Sequence, residues 1–384
     1  MANVDYKAPG VYRQDVYPTP APSFVTGVPI FLGYAADGPT TPQRLTLWPQ
    51  FDAAFKPTPD SFLAHAVRGF FENDGLICYV LRLDESATPL EGLQRGLDLA
   101  RDLDDVDLIC APDLTRGSTT SLAVAILQQA LLDFCQIQQD CFAILDGIPP
   151  EGIPRMGAVD KADAAKLTGD FGALYYPWLY LGLGANQQPL YVPPCGHVAG
   201  IYSRTDQRVG VHKAPANEAL EGVLDLQVNL STDAVGELYA NGVNCLQAFP
   251  GRGIRVWGAR TLSAAGQDAT WRYVNARRTY ITINRWVERY LTELVHEPND
   301  VRLWVRIMRE LTAFLDGLFQ RGALKGHTPD EAFYVKCDGE TNSREVMDAG
   351  MVVTQIGLAL AAPAEFVEVR IIHGASGVTV QARN

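Results

Sequence analysis

The fold of this chain is decided by VRLWVRIMRELTAFLDGLFQRGALKG (301–326), followed by HTPDEAFYVKCDGETNSREVMDAGMVVTQIGLALAAPAEFVEVRIIH (327–373). Apolar residues recur at helical spacing in the first part, and apolar and polar residues alternate in short runs of the second. The pattern predicts a long amphipathic helix that ends at Gly322, then strands over AFYVKC, GMVVTQIGLAL and EFVEVRIIH. The last strand has one apolar face and free backbone edges, so we expect it to pair with another strand.

The segment just before this stretch is predicted to be another amphipathic helix, which Pro298 terminates. Asn299 or Asp300 can then cap the helix that follows. Between residues 252 and 289 the only acidic residues are Asp268 and Glu288, whereas the arginines are Arg252, Arg255, Arg260, Arg272, Arg277, Arg278, Arg285 and Arg289. Three interpretations stay open: a solvated helix face, a nucleic-acid contact, or a basic face that docks on an acidic protein.

Upstream of residue 260, predicted buried strands alternate with predicted helices, which indicates a parallel or mixed sheet covered by helices. The run GALYYPWLYLG is predicted as a strand, and GVNCLQAFPGRGIRVWGARTL as a strand pair with its turn at PGRG. The expected fold class is α/β (α+β overall). We divide the chain into an extended N-terminal arm (1–22), an outer α/β domain (23–259) and a C-terminal helix-plus-sheet domain (260–384).

Composition and charge limit the possible functions. The 384 residues are 47% hydrophobic and carry a net charge of −12, which disfavours sequence-independent nucleic-acid binding. Neither a secretory signal pattern nor an apolar run long enough to span a bilayer is visible, so we expect no direct membrane insertion. The cysteines are odd in number and scattered through apolar contexts, as expected for buried thiols in a reducing cytoplasm.

The search for catalytic chemistry gives only weak candidates. The sequence contains no Walker A loop, spaced dinucleotide-binding glycines, nucleophile elbow or HExxH motif. Asp113 and Asp146 follow predicted strands, where α/β enzymes often place functional groups, but their neighbours suit ordinary turn and cap aspartates. Cys195 and His197 lie close in sequence without a supporting carboxylate. We therefore predict no catalytic residue, cofactor or metal, and keep a hydrolase-like α/β enzyme with strand-end carboxylates as the alternative.

Several segments, in one consistent order, resemble the contractile tail sheath protein family. They are YKAPGVYRQDV near the start, IYSRTDQRVGVHKAPANEALEGV in the middle, RYVNARRTYI with EPND, LFQRGALKGHTPDEAFYVKCD, and MDAGMVVTQIGLALAAPAEFVEVRI near the end. Sheath proteins of this kind occur in phage tails, R-type pyocins and extracellular contractile injection systems. The resemblance implies a structural subunit that polymerises helically around an inner tube and contracts to drive the tube through a target envelope.

The resemblance also implies which residues join the subunits. An N-terminal arm and a C-terminal strand would enter the sheets of neighbours; the arm residues are Pro9, Gly10, Val11, Tyr12, Arg13, Val16 and Tyr17. The matching strand residues are Glu365, Phe366, Val367, Glu368, Val369, Arg370 and Ile371. Basic residues of the C-terminal domain are expected to contact an acidic inner tube, with Arg277, Arg278, Arg321 and Lys325 as candidates.

The expected partners follow from the same family. They are further copies of this chain, an inner tube protein, and baseplate and terminator or cap proteins. We expect assembly in the cytoplasm into a phage-tail-like particle, which is then released or anchored to a membrane through other subunits.

Overall fold

The computed structural model describes residues 25–116, 121–148, 167–184, 187–263, 269–363, 368–374 and 377–383. The expected arm, Pro9–Tyr17, and strand residues 365–367 lie outside these ranges. The described helices are α1 (Pro49–Ala54), α2 (Leu63–Glu72), α3 (Pro89–Ala100), α4 (Ser121–Gln138), α5 (Cys195–Arg208), α6 (Thr232–Ala240), α7 (Val274–Thr292), α8 (Val301–Gln320), α9 (Pro329–Ala332) and α10 (Arg344–Asp348).

The strands form one large sheet and several small ones. They are β1 (Pro29–Gly33), β2 (Gln43–Leu45), β3 (Cys78–Arg82), β4 (Leu108–Cys110), β5 (Phe142–Asp146), β6 (Gly172–Tyr176), β7 (Leu179–Leu183), β8 (Pro189–Val192), β9 (Asp225–Leu226), β10 (Val243–Phe249), β11 (Gly253–Trp257), β12 (Phe333–Lys336), β13 (Gln355–Leu358), β14 (Glu368–Gly374) and β15 (Gly377–Arg383).

The large sheet is mixed, with the strand order β11-β10-β6-β5-β4-β1-β3-β2. Its central pairs, from β3 across to β10, are parallel, and the two outermost pairs are antiparallel. Every residue of β1, β5 and β6 is buried, as expected for strands covered on both faces. The predicted mixed sheet and the β10–β11 hairpin are confirmed.

The predicted strand GALYYPWLYLG is wrong as a single element. It divides at Pro177 into β6, which lies in the large sheet, and β7, which lies in a separate sheet of order β8-β7-β9. Proline has no N–H to donate to a strand ladder, so the chain leaves the first sheet at this point.

Helices α2 and α5 pack unusually closely because glycines line their contact. A Cβ atom at Gly196 would lie 2.2 Å from the carbonyl oxygen of Ala66, and one at Gly200 would lie 2.6 Å from Cβ of Asn73. The absence of these Cβ atoms lets the two backbones approach and brings α5 directly over the sheet.

The C-terminal helices pack against each other and against the β12–β13 sheet. Leu315 and Leu318 of α8 lie in one apolar cluster with Ile283 and Phe333, and a second cluster continues along the helix from Leu303 to Leu311. The Asp300 carboxylate accepts from the backbone N–H groups of residues 302 and 303 at 2.9 and 3.1 Å, so the expected cap is confirmed.

The predicted terminal strand is present, but it is not free on both sides. Strand β14 pairs with β15 in an antiparallel hairpin, from Glu368↔Arg383 to Gly374↔Gly377. The sequence interpretation missed β15, although VTVQAR alternates apolar and polar residues after the Gly-containing sequence HGASG. One edge of β14 is therefore occupied by its own chain.

Candidate assembly interface

Arg278, expected to face a partner, lies instead in the protein interior. Its side chain is 2% exposed and makes a two-pronged ion pair with Asp206, with distances of 2.9 Å from Nη1 to Oδ1 and 2.6 Å from Nη2 to Oδ2. Nη2 also lies 2.9 Å from Oδ2 of Asp107. Burial opposes the charge, but the two carboxylates raise the pKa of Arg278 above its ordinary value, so the guanidinium stays protonated.

Arg277, the neighbouring candidate, is buried as well. Its side chain is 6% exposed and pairs with Asp170. The guanidinium carbon lies 3.6 Å from the centroid of the Trp271 ring and 4.3 Å from that of Phe171, which places the cation between two aromatic faces. The expectation that Arg277 and Arg278 contact an inner tube is corrected, because both groups are already paired inside the subunit.

Two acidic partners of α7, Asp107 and Asp170, lie at the same end of the sheet. Asp107 directly precedes β4 and Asp170 precedes β6, so both lie at the amino ends of parallel strands. Arg285, two turns further along α7, donates to the carbonyl oxygen of Asp104 at 2.5 Å. Helix α7 is therefore bound at this end of the sheet by Arg277, Arg278 and Arg285, and these three of the eight arginines in the basic stretch serve internal packing.

The other two candidates, Arg321 and Lys325, are exposed at the end of α8 and in the loop after it. Arg321 donates through Nε to the carbonyl oxygen of Gly317 at 3.0 Å, which leaves the guanidinium on the surface. The backbone of Lys325 is held by the carbonyl oxygen of Ala359 at 2.7 Å. Both positions can therefore present positive charge to a partner.

The two-stranded sheet β12–β13 offers backbone for strand addition. It pairs from Phe333↔Leu358 to Lys336↔Gln355 and has no third strand among the described residues. The predicted strand GMVVTQIGLAL is regular only over β13, and Met351–Val353 is an exposed apolar segment that no described strand covers. Asn342 holds this segment by accepting from Val353 N at 2.6 Å. An extended peptide could therefore dock alongside it.

The β14–β15 hairpin is the second set of strands suited to pairing between subunits. Within the described ranges, each of its strands has one neighbour, so one backbone edge of each is left unpaired. Glu368, Val369, Arg370 and Ile371 of the predicted pairing strand lie in β14.

The strand-end carboxylates of the enzyme alternative are structural. Asp113 accepts from the backbone N–H groups of Tyr34 and Phe62 at 2.7 and 2.6 Å and from Oγ of Ser61 at 2.7 Å, so it fixes the entry to α2. Asp146 accepts from the backbone N–H of Cys195 at 2.7 Å and fixes the start of α5. Both carboxylates are buried.

Cys195 and His197 have the wrong electrostatics for a nucleophile pair. Burial raises the pKa of the Cys195 thiol, whereas a reactive cysteine needs a lowered one. Burial, together with His65, lowers the pKa of His197 to about 4, so the ring is neutral at physiological pH. The structure does not support a hydrolase-like site at these residues.

The described residues show neither a metal cluster nor a membrane-spanning helix. Across the described ranges, no group of three or more His, Cys, Asp and Glu side chains is arranged to hold a metal ion. Among the described helices, none combines the length and the apolar composition that a bilayer-spanning segment needs.

Two sheath family models match consecutive parts of the chain. The phage tail sheath protein central domain matches residues 100–262, and the phage tail sheath C-terminal domain matches residues 266–372. The chain belongs to the phage tail sheath protein family. The resemblance drawn from the sequence is confirmed.

The tail sheath protein of Salmonella phage ViI is 22% identical over 251 residues, which are 61% of this chain and 37% of that protein. The matched part covers less than half the length of each curated sheath relative considered.

Solved structures of contractile particles match nearly the whole sheath chain. The anti-feeding prophage (AFP) provides two of them, a six-fold symmetrised baseplate (28% identity, TM-score 0.77, covering 96% of this chain and 99% of that one) and a helical sheath in the contracted state (28%, 0.74, 96% and 100%). An extracellular contractile injection system, the PVC sheath complex in its contracted state, is 28% identical with a TM-score of 0.75 (97% and 99%). The α/β (α+β) fold class is confirmed.

Sequence reasoning missed the acidic partners of the α7 arginines. Asp107, Asp170 and Asp206 are scattered along the chain, and the ion pair from Asp107 to Arg278 spans 171 residues. The acidic run RDLDDVD, just before β4, was the one available signal.

Proposed function

We propose that this sheath-family chain is the force-generating structural subunit of a contractile sheath, and that it polymerises helically around an inner tube and drives that tube through a target envelope. The observation that carries the proposal is the likeness to the PVC sheath complex in its contracted state, over 97% of this chain and 99% of that one. The role is structural and not catalytic, in line with the family and with the buried positions of Asp113 and Asp146.

Strand exchange would connect the subunits. In this proposal the arm, Pro9–Tyr17, and the C-terminal strand around β14 enter sheets of neighbouring copies, and the open β12–β13 sheet with Met351–Val353 is the receiving surface. An edge strand with free N–H and C=O groups gains a full ladder of hydrogen bonds from such pairing. The division into an arm (1–22), an outer domain (23–259) and a C-terminal domain (260–384) belongs to the same proposal.

Contraction would draw its energy from the interfaces. Many identical contacts, each slightly more favourable in the contracted packing, release a large free energy together without a nucleotide cofactor. The other proposed partners are an inner tube protein, which contacts Arg321 and Lys325, and baseplate and terminator proteins. A baseplate partner agrees with the likeness to the AFP baseplate structure. Assembly would take place in the cytoplasm as part of a phage-tail-like particle.

The proposal is tested by electron microscopy of the full-length protein. We expect tubular polymers with a striated surface, and loss of these polymers when residues 1–17 are removed. Normal polymers from the truncated chain would contradict arm exchange, and a monomer with hydrolytic turnover would contradict the structural role.

Engineered disulfides test the strand exchange directly. Tyr12→Cys combined with Val352→Cys on the receiving surface should give a ladder of cross-linked subunits after mild oxidation of the polymer, whereas each single variant should not. The native cysteines are all buried, which limits competing cross-links. Cross-links confined within single subunits would refute exchange at this pair.

Charge reversal tests the tube contact. Arg321→Glu with Lys325→Glu should lower co-sedimentation of the sheath with its tube and remove much of the salt dependence, because exposed charges are screened by salt. The matched control is Arg95→Glu on α3 with Arg101→Glu directly after that helix, where both side chains are also exposed. An equal effect of the two double variants would refute a specific contact.

A further inference from the structure

The short segment that leads out of the N-terminal arm is held by the carboxylate of Asp107. Asp107 accepts from the backbone N–H of Gly27 at 3.0 Å and from that of Val28 at 2.7 Å. In return, the backbone N–H of Asp107 donates to the carbonyl oxygen of Val28 at 3.1 Å. We call residues 25–28 the arm root, since β1 begins at Pro29 and the proposed arm precedes residue 25.

The arm root also lies directly on α5. Gly27 has φ = +75°, and a Cβ atom there would lie 2.6 Å from Cα of Ser203. Only glycine combines this backbone conformation with so close an approach. Asp206, one turn further along α5, belongs to the same buried ion cluster.

Arg278 connects these groups to the C-terminal part of the chain. It binds Asp107 and Asp206 at the same time, and its guanidinium carbon lies 4.9 Å from the centroid of the Tyr202 ring. The helix that carries it, α7, has Ile281 in the core of the α/β sheet and Ile283 in the cluster with Leu315 of α8. The buried side chain of Arg278 therefore connects the arm root to α7, the helix that enters the C-terminal domain.

We propose that the Asp107–Arg278–Asp206 cluster is the anchor of the N-terminal arm, so that a pull on the arm is passed through Arg278 to α7 and the C-terminal domain. The proposal rests on the arm acting as a link between subunits. Arg278 is then a positioning residue: it contacts no partner, but it fixes the point at which the linking segment leaves the subunit. An arm held only by a flexible root would lengthen under load before it moved the neighbouring subunit.

Arg277 provides a matched control for Arg278. It is on the same helix, is also buried and pairs with a carboxylate, but its partner Asp170 forms no hydrogen bond with the arm root within the described residues. Arg278→Gln and Arg277→Gln therefore remove the same kind of buried ion pair. Only the first removes the cation that positions the Asp107 carboxylate, which holds Gly27 and Val28.

Hydrogen exchange of the full-length protein, followed by mass spectrometry on peptides covering residues 25–31, measures the anchor directly. We expect exchange in Arg278→Gln to be at least about tenfold faster than in the wild type, and in Arg277→Gln to stay within about twofold, because only the former weakens two buried hydrogen bonds. Equal protection of the arm root in the two variants would overturn the proposal, whatever the polymers do.

Gly27→Ala tests the same link from the other side and covers the case in which Arg278→Gln does not fold. It leaves Asp107, Arg278 and Asp206 in the sequence but forces the root away from Ser203. In microscopy of contracted sheaths, we expect Gly27→Ala and Arg278→Gln to give fragmented sheaths and Arg277→Gln to give intact ones. If hydrogen exchange at the arm root became faster but contracted sheaths stayed intact, the cluster would only contribute to packing and the proposed anchor would be refuted. Normal polymers after removal of residues 1–17 would instead refute the proposed role of the arm, and would not alter the hydrogen-exchange result.

Discussion

Replacing Asp146 by asparagine should stabilise the protein above neutral pH. The carboxyl group is buried at the end of β5 and accepts a hydrogen bond from the backbone N–H of Cys195. Burial outweighs this bond and raises the pKa of Asp146 to about 7 from its ordinary value of 3.8. Asparagine keeps a carbonyl oxygen that can accept from Cys195 and never becomes charged.

The sign of the effect follows from proton binding. Between pH 3.8 and about 7 the folded chain holds the proton on Asp146 and the unfolded chain has released it. The contribution of this group to the free energy of unfolding therefore falls as the pH rises through that window, and is constant above it. A difference of about 3 pKa units corresponds to about 4 kcal/mol. We expect the free energy of unfolding of Asp146→Asn to exceed that of the wild type by up to this amount at high pH, and by progressively less at lower pH.

Urea unfolding from about pH 5 to about pH 9, followed by circular dichroism, measures this difference. Asp113→Asn is the control, since Asp113 accepts three hydrogen bonds and the new amide must turn its NH₂ group toward a donor. That variant should lower the free energy of unfolding by about 1–3 kcal/mol at low pH. Burial also raises the pKa of Asp113, so this loss should become smaller as the pH rises. A pH-independent difference between Asp146→Asn and the wild type would refute the reasoning.

Three further substitutions probe packing and capping. Gly196→Ala places a methyl group 2.2 Å from the Ala66 carbonyl oxygen. It should therefore lower the free energy of unfolding by about 1–3 kcal/mol and lower the melting temperature. An unchanged melting temperature would contradict the close helix contact. Asp300→Ala removes the α8 cap and should lose about 1 kcal/mol in urea unfolding, with Asp300→Ser recovering most of it. Trp286→Leu removes a ring that stacks on Phe314 with 3.7 Å between the ring centroids. A double-mutant cycle with Phe314→Leu should give a coupling free energy of about 1 kcal/mol. A coupling of zero would exclude a specific stacking interaction.

The sequence predicted those features that depend on local pattern. The alternation of buried strands with helices, the β10–β11 hairpin and the cap at Asp300 each follow from residues close together in the chain. Hydrophobic periodicity and capping chemistry act over a few residues, so they can be seen without the fold.

The features that the sequence did not reveal depend on distant partners. Arg277 and Arg278 belong to a basic stretch, and whether such residues are exposed is decided by carboxylates that precede β4 and β6 or lie on α5. The extent of GMVVTQIGLAL as a strand likewise depends on a neighbour, which β12 provides only along residues 355–358. The local sequence pattern shows which charged or apolar groups these residues carry, but it does not show which groups of the folded chain surround them.

Buried and exposed arginines should respond differently to salt. Screening acts on solvent-exposed charges and much less on buried pairs. Raising the ionic strength should therefore weaken the proposed tube contacts of Arg321 and Lys325, while the ion pairs of Arg277 and Arg278 stay formed. We expect release of the tube at salt concentrations that leave the melting temperature of the subunit unchanged, as followed by co-sedimentation and thermal unfolding of the same samples. If subunit stability fell in step with tube binding, the buried pairs would be accessible to solvent, and the internal role of α7 would have to be abandoned.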